Sequence, residues 1–505
     1  MKRAPAERVM TGAPLSASNP TLSCAAGKYP LTKSRFHIAL GAVALMLAGL
    51  AGFPAVAADP ADADLIKRGQ YVSIVGDCVA CHTTAGGKPL AGGLPLATPF
   101  GPIYSTNITP SKTYGIGNYS SAQFADALRR GRRADGAHLY PAMPYTSYAR
   151  VSDDDVKALY AYFMNAVTPV DAPSPQTSLP FPFNIRLMMA AWNLLFLDSK
   201  PFASDASKSA EWNRGAYLVR GLTHCSTCHT PRNLLMGEAG SRDLGGGDVG
   251  GWYAPNITSD VNSGIGGWNE QELITYLRTG RVANKAQAAG PMAEAVEHSL
   301  RHLNDGDLRA IAVYLKTVPA LHDDADTRPA FAWGTAADDV SSIRGAELPK
   351  DPNQLSGPQL YDAYCATCHE SGGQGADNGV LPSLFHNTAL GSTNTNNLVM
   401  AILEGVHPQP DTPDLLMPGF ARELSDQQIA TLGRDLVQRY GNPKAQVTAK
   451  QVGELRSGST SSFLLVAARV GIIVVAALIV AIVAFFIFRI WRRRAGVPAG
   501  PGTGG

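Results

Sequence analysis

Cys78-Val79-Ala80-Cys81-His82 is repeated as Cys225-Ser226-Thr227-Cys228-His229 and again as Cys365-Ala366-Thr367-Cys368-His369. Cys-x-x-Cys-His reads as a c-type haem attachment site. Two thiols three positions apart on a helical turn reach the two vinyl groups of one porphyrin. The histidine that follows lies under the iron as its proximal ligand. One such pair is also compatible with a redox dithiol or half a zinc site. Three copies at domain-sized intervals, each with its histidine, select haem. They use six of the seven cysteines and leave only Cys24, so no disulfide framework remains.

Three haem sites need room, and 505 residues allow three or four units. The 51 glycines and 35 prolines suit small, loop-rich domains wrapped around a cofactor. The net charge of +2 gives no reason to expect a nucleic-acid partner. A hydrophobic content of 45% against 17% charged residues fits a folded protein that carries membrane segments.

The chain opens with a leader, 1–57. Lys33-Ser34-Arg35, an apolar run over 38–52 and Ala55-Val56-Ala57 form the n-region, h-region and cleavage site of a secretory signal peptide. The first haem unit is expected at 61–170. The spacing predicts a helix leading into the first motif, a helix over 121–130, and another over 152–165 capped by Ser152 with acids behind it. Tyr140 to Tyr145 form a loop because of Pro141 and Pro144. A linker follows at 171–209, extended where Pro169, Pro173, Pro175, Pro180 and Pro182 cluster, then apolar and helical over 183–196.

The second unit, 210–320, repeats the first. Arg214-Gly215-x-Tyr217 matches Arg68-Gly69-x-Tyr71, Asn256-Ile257-Thr258 matches Asn107-Ile108-Thr109, and Gly264-Ile265-Gly266 matches Gly115-Ile116-Gly117. A repeat of this quality sets the architecture. After an acidic linker at 321–352, a shorter third unit occupies 353–442 and shares only the haem motif, a methionine loop and a last helix. The fold expected is mostly α: three consecutive class I cytochrome c-like haem domains followed by a transmembrane helix at 463–488. Within that helix, 470–488 is a run of nineteen apolar residues without a charge, enough to cross about 30 Å of hydrocarbon. Arg489, Arg492, Arg493 and Arg494 follow. This places the C-terminus in the cytoplasm and the haem units in the periplasm, with a single span in the inner membrane.

The second axial ligand decides whether a haem carries electrons or does chemistry. Met143 lies twelve residues after Gly131, Met292 twelve after Gly280 and Met417 twelve after Gly405. Each has an adjacent proline, Pro144, Pro291 or Pro418. One methionine is more often core packing, but three in register read as axial ligands opposite His82, His229 and His369. His/Met ligation raises the haem potential and closes the iron to substrate. Three closed haems make a wire. There is no dinucleotide fingerprint, nucleophile elbow or zinc-helix motif in the chain.

These residues resemble the three-haem cytochrome c subunit of bacterial membrane-bound alcohol and sugar dehydrogenases. The likeness is carried by Arg214-Gly215-Ala216-Tyr217-Leu218-Val219, by His224 through Asn233, by Gly290-Pro291-Met292-Ala293-Glu294, and by Met417-Pro418-Gly419-Phe420. It covers 64–441. It implies three covalent haems c and a partner dehydrogenase subunit carrying FAD or pyrroloquinoline quinone. That partner would oxidise an alcohol, sugar or sugar acid. A small third subunit, membrane lipid and ubiquinone as electron acceptor are also implied. Two alternatives stay open: a membrane-tethered donor to a terminal oxidase, and a periplasmic haem peroxidase.

Overall fold

In the computed structural model, which describes residues 60–338, 340–376, 381–407, 416–458 and 463–495, two helices cross at a glycine in each of the first two repeats. The leader with its signal-peptide reading and Cys24 lie outside the described residues. In the first repeat the helix Pro60–Val75 packs on the helix Asp153–Asn165. A Cβ on Gly69 would sit 2.0 Å from the Ala158 carbonyl oxygen. In the second repeat Ala210–Tyr217 packs on Asp305–Leu315, and a Cβ on Gly215 would sit 1.9 Å from the Ala310 oxygen. The glycine of the repeated Arg-Gly-x-Tyr is therefore where two backbones touch, and no larger residue fits.

The other helices follow from their caps. Ser120 and Gln123 form a capping box at the start of Ser121–Arg130, as Asn269 and Glu272 do for Glu270–Thr279. Ser152 accepts from the Asp155 amide and Asn304 from the Asp307 amide, starting the last helix of each repeat. The repeated Asn-Ile-Thr has one job in both units. Asn107 Oδ1 takes the Thr109 amide and hydroxyl at 2.9 and 2.7 Å, while Nδ2 donates to the Val170 carbonyl at 2.8 Å. Asn256 binds Thr258 likewise and reaches the Leu321 carbonyl at 2.6 Å. Each asparagine thus ties the middle of its unit to its exit strand. Three two-residue or three-residue antiparallel ribbons complete the described strands, pairing Pro95 with Tyr104, Gly247 with Ala254 and Arg281 with Gln287.

The first two repeats share one hydrophobic core. Val72, Leu159 and Phe163 from the first belong to the same buried cluster as Leu218, Leu308 and Ile311 from the second. Full burial of one such side chain is worth about 1.5–3 kcal/mol, so the shared core holds the two units firmly together. The third repeat has its own core around Tyr361, Met400, Ile429 and Tyr440, built by the helices Gly357–Tyr364, Asn396–Glu404 and Asp426–Tyr440. Trp252 of the second repeat is buried in that core. Next to it Asn397 exchanges two hydrogen bonds with the Tyr253 backbone, both 2.8 Å.

The linker carries the helix Met188–Phe196, whose Asn193 accepts from the Tyr145 hydroxyl at 2.7 Å and whose Trp192 donates to the Leu235 carbonyl at 2.9 Å. It bridges the first and second units. At the other end of the chain the expected transmembrane helix, and the inner-membrane localisation that depended on it, are overturned. Among the described residues no helix is long and apolar enough to cross a membrane. The helix Phe463–Ala495 does form.

Candidate haem-binding sites

Each Cys-x-x-Cys-His forms one helical turn: Cys78–His82 in the first unit, with Ser226–His229 and Ala366–His369 following Cys225 and Cys365. The turn brings both thiols and the imidazole to one side, as the spacing requires. All six cysteines are free thiols. Burial pushes Cys78 and Cys225 up to about 11 and Cys81 and Cys365 up to about 12, so these thiols are neutral until they react.

All three histidines make the same hydrogen bond. Nδ1 of His82 lies 2.6 Å from the Thr106 carbonyl oxygen, Nδ1 of His229 lies 2.6 Å from that of Pro255, and Nδ1 of His369 lies 3.0 Å from that of Pro382. A carbonyl can only accept, so Nδ1 carries the proton and Nε2 keeps its lone pair for a metal. Burial lowers the pKa of all three rings, against the opposing effect of those carbonyls, which favours the neutral form a metal needs. Neither Thr106 nor Pro255 was among the residues singled out from the sequence. A signal for both was present, since they immediately precede the repeated Asn107 and Asn256.

The methionines are held by loops that return to their own glycine. Gly131 and Gly280 end their helices in the left-handed conformation, with φ of 60° and 73°. Each carbonyl then accepts an amide from further along the loop, Leu139 on Gly131 and Ala288 on Gly280, both at 2.7 Å. In the third unit Val406 and Met417 pair through two backbone hydrogen bonds of 3.0 and 3.1 Å. Gly405 makes that pairing possible, because a Cβ there would meet the Met417 oxygen at 2.3 Å. Met143 follows a turn closed by its amide on the Tyr140 carbonyl and packs against the first core. Met292 lies within the helix Gly290–His298, not in an irregular loop, because Pro291 starts that helix.

Cys225, Cys228, His229 and Met292 line a cavity of about 430 Å³. Cys365, His369 and Met417 line the same cavity, so the second and third crevices are continuous. Cys78, Cys81, His82 and Met143 do not line it. The donor set fits haem c: paired thiols on one turn, a half-buried imidazole with Nε2 available, and a thioether from a separate segment.

Two family models match separate parts of the chain. The family described as Cytochrome c matches residues 66–166. The family described as Cytochrome C oxidase, cbb3-type, subunit III, matches residues 352–434. The fructose dehydrogenase cytochrome subunit of Gluconobacter japonicus is 48% identical over 404 residues, which is 78% of this chain and 83% of that protein. The gluconate 2-dehydrogenase cytochrome c subunit of Pantoea cypripedii is 42% identical over 433 residues, 83% of this chain and 95% of that one. The cytochrome c subunit of the quinone-dependent alcohol dehydrogenase of Gluconobacter oxydans is 39% identical over 417 residues, covering 80% and 85%.

Proposed function

Because this chain belongs to the family of cytochrome c subunits of the fructose, gluconate and alcohol dehydrogenases, in which it takes electrons from a dehydrogenase, we propose that it binds three haems c and passes those electrons to ubiquinone. In this reading Cys78 with Cys81, Cys225 with Cys228, and Cys365 with Cys368 form the thioether links. His82 pairs with Met143, His229 with Met292 and His369 with Met417 as axial ligands. The partner is a dehydrogenase subunit carrying FAD or pyrroloquinoline quinone that oxidises an alcohol, sugar or sugar acid, and a small third subunit completes the complex.

The observation that carries the reading is the threefold recurrence of one arrangement: a thiol pair and a histidine on one turn, with Nδ1 committed to a backbone carbonyl. When bound, haem c supplies one-electron chemistry between Fe(III) and Fe(II). The protein's own contribution is to fix and bury the ligands. The carbonyls of Thr106, Pro255 and Pro382 hold each imidazole in one tautomer and orientation. The methionine loops bring a sulfur that excludes water and substrate from the open side. The shared core of the first two units would hold haems bound there at a fixed separation, and residues of the second and third sites line one cavity.

The intact mass of the mature protein should correspond to three covalent haems. The isolated protein should oxidise no sugar or alcohol, while its haems should become reduced when its dehydrogenase partner and substrate are added, and reoxidised by a soluble ubiquinone analogue. Two haems or fewer in fully matured protein would overturn the three-haem reading. Haems that the partner reduces but the quinone cannot reoxidise would overturn the acceptor.

A further inference from the structure

The first unit contributes side chains to the second unit's crevice. Val75 and Asp77 line the cavity that contains Cys225, Cys228 and His229. Asp77 occupies the residue immediately before Cys78 and has a left-handed backbone, φ 52°. Its amide closes a turn on the Ile74 carbonyl at 2.9 Å. Its Oδ1 is wholly buried and has no hydrogen-bond partner. Burial, and secondarily the charge of Glu294, push this carboxyl up to about 8. A left-handed non-glycine residue with an unpaired buried carboxyl oxygen is costly on both counts.

The equivalent position in the second unit is His224, immediately before Cys225. It too is left-handed, with φ 39°, and lines the same cavity. The two repeats therefore agree on the strained turn and differ only in the side chain it presents. Burial takes His224 down to about 4, so it is neutral near pH 7. The other groups acting on Asp77 or responding to it are Glu294 from the helix Gly290–His298, Tyr148, Cys78, Cys81 and Cys228. Tyr148 donates its hydroxyl to the Gly76 carbonyl at 2.6 Å and burial keeps it protonated. The three cysteines cease to titrate once they are thioethers. Of the groups acting on Asp77 or responding to it, that leaves two carboxyls, Asp77 and Glu294, while Glu238 acts on Cys228 beside Arg232.

We propose that Asp77 is a proton site coupled to the redox state of the haem in the second unit. An electron from the partner dehydrogenase takes that iron from Fe(III) to Fe(II). Asp77 carboxylate then binds one proton from solvent, and it releases that proton when the electron leaves. The added negative charge and the added proton cancel locally, which is what a buried, poorly solvated site favours. This inference rests on the second unit's haem in the reading above.

The test is a spectroelectrochemical titration of the complete haem-loaded protein from about pH 6 to about pH 10, bracketing the Asp77 window. In the wild type the potential of one haem should fall as pH rises through that window, approaching one proton per electron. Asp77→Asn should raise that potential, flatten its pH dependence and leave the third unit's haem unchanged, while Asp77→Glu should retain a slope. An unchanged slope in Asp77→Asn overturns the proposal. Should that variant fail to mature, the redox-difference infrared spectrum of the wild type near pH 8 decides: a carboxylic-acid carbonyl band must grow on reduction, and its absence overturns the proposal. Mature protein whose mass lacks the second unit's haem overturns both readings. Full-mass protein with flat potentials overturns this one alone.

Discussion

The Tyr71 hydroxyl of the first unit donates to Asp307 Oδ2 of the second at 2.7 Å, and Tyr217 of the second unit returns the bond to Asp155 Oδ2 of the first at 2.5 Å. Each aspartate is also held by the arginine of its own unit, Asp155 by Arg68 at 2.8 Å and Asp307 by Arg214 at 2.7 Å. The repeated Arg-Gly-x-Tyr therefore has three separate uses. Its arginine orients the local aspartate, its glycine allows the helix crossing, and its tyrosine reaches across to the other unit. Two copies related in this way lock the first two haem units face to face.

Removing one arm of the lock should weaken it measurably. Tyr71→Phe keeps the ring and deletes only the hydroxyl, leaving a charged acceptor short of one donor. A hydrogen bond to a charged group is worth about 1.5–3 kcal/mol, so denaturant unfolding of the haem-loaded protein should lose roughly that amount. Tyr217→Phe should behave similarly. Haem content should be unaffected, because neither tyrosine is in a haem motif. Unfolding curves that overlay the wild type would show that the pair adds nothing.

Asp307 also makes stability depend on pH. Burial alone would raise its pKa, but the hydrogen bonds from Arg214 and Tyr71 outweigh burial and hold it below the ordinary carboxylate value. A depressed folded pKa means that its contribution is complete above the ordinary carboxylate range. The contribution is lost as pH falls through the lower folded value. Tyr71→Phe removes one of the depressing bonds. It should move the acid-unfolding midpoint of the joined first and second units to higher pH, as followed by haem absorbance. No movement of that midpoint would remove Asp307 from the acid transition.

The two crossing glycines should be intolerant of even a methyl group. With backbone oxygens 2.0 and 1.9 Å from the added carbon, Gly69→Ala or Gly215→Ala forces the helices apart. Overpacking at a backbone contact of this kind should cost about 3 kcal/mol or more. The expected result is poor maturation and loss of folded protein, measured as haem-containing protein per cell. Wild-type yield and melting temperature for either variant would mean that the crossing relaxes easily.

Axial ligation makes the most direct spectroscopic prediction. Met143→Ala, Met292→Ala and Met417→Ala should each abolish about one third of the Fe(III)–thioether band at the red end of the spectrum and lower one of the potentials. Met292 is the most informative of the three, since it sits in a helix while the others do not. A Met292→Ala protein with unchanged spectra and potentials would show that His229 has a different partner.

The sequence by itself determined the elements that depend on near neighbours. The helical turns at the three Cys-x-x-Cys-His motifs were legible because a thiol pair and a histidine at that spacing share a single turn. The helices Ser121–Arg130 and Asp153–Asn165 were legible because caps and periodicity act over a few residues. The twelve-residue interval from glycine to methionine was also visible, since a loop that returns to its own glycine has a fixed length. The membrane-spanning helix expected at the end of the chain was not upheld, since among the described residues no helix is long and apolar enough to cross a membrane. Only the tertiary structure decided what depends on residues far apart in the chain. Tyr71 and Asp307 are 236 positions apart, and nothing local announces their meeting. The carbonyls of Thr106, Pro255 and Pro382 carry no side-chain signature, since every residue has one, and only folding selects which of them faces a histidine. Asp77 was not singled out from the sequence. Its role is set by the packing of the first unit against the second, which buries its carboxyl in a crevice belonging to another part of the chain.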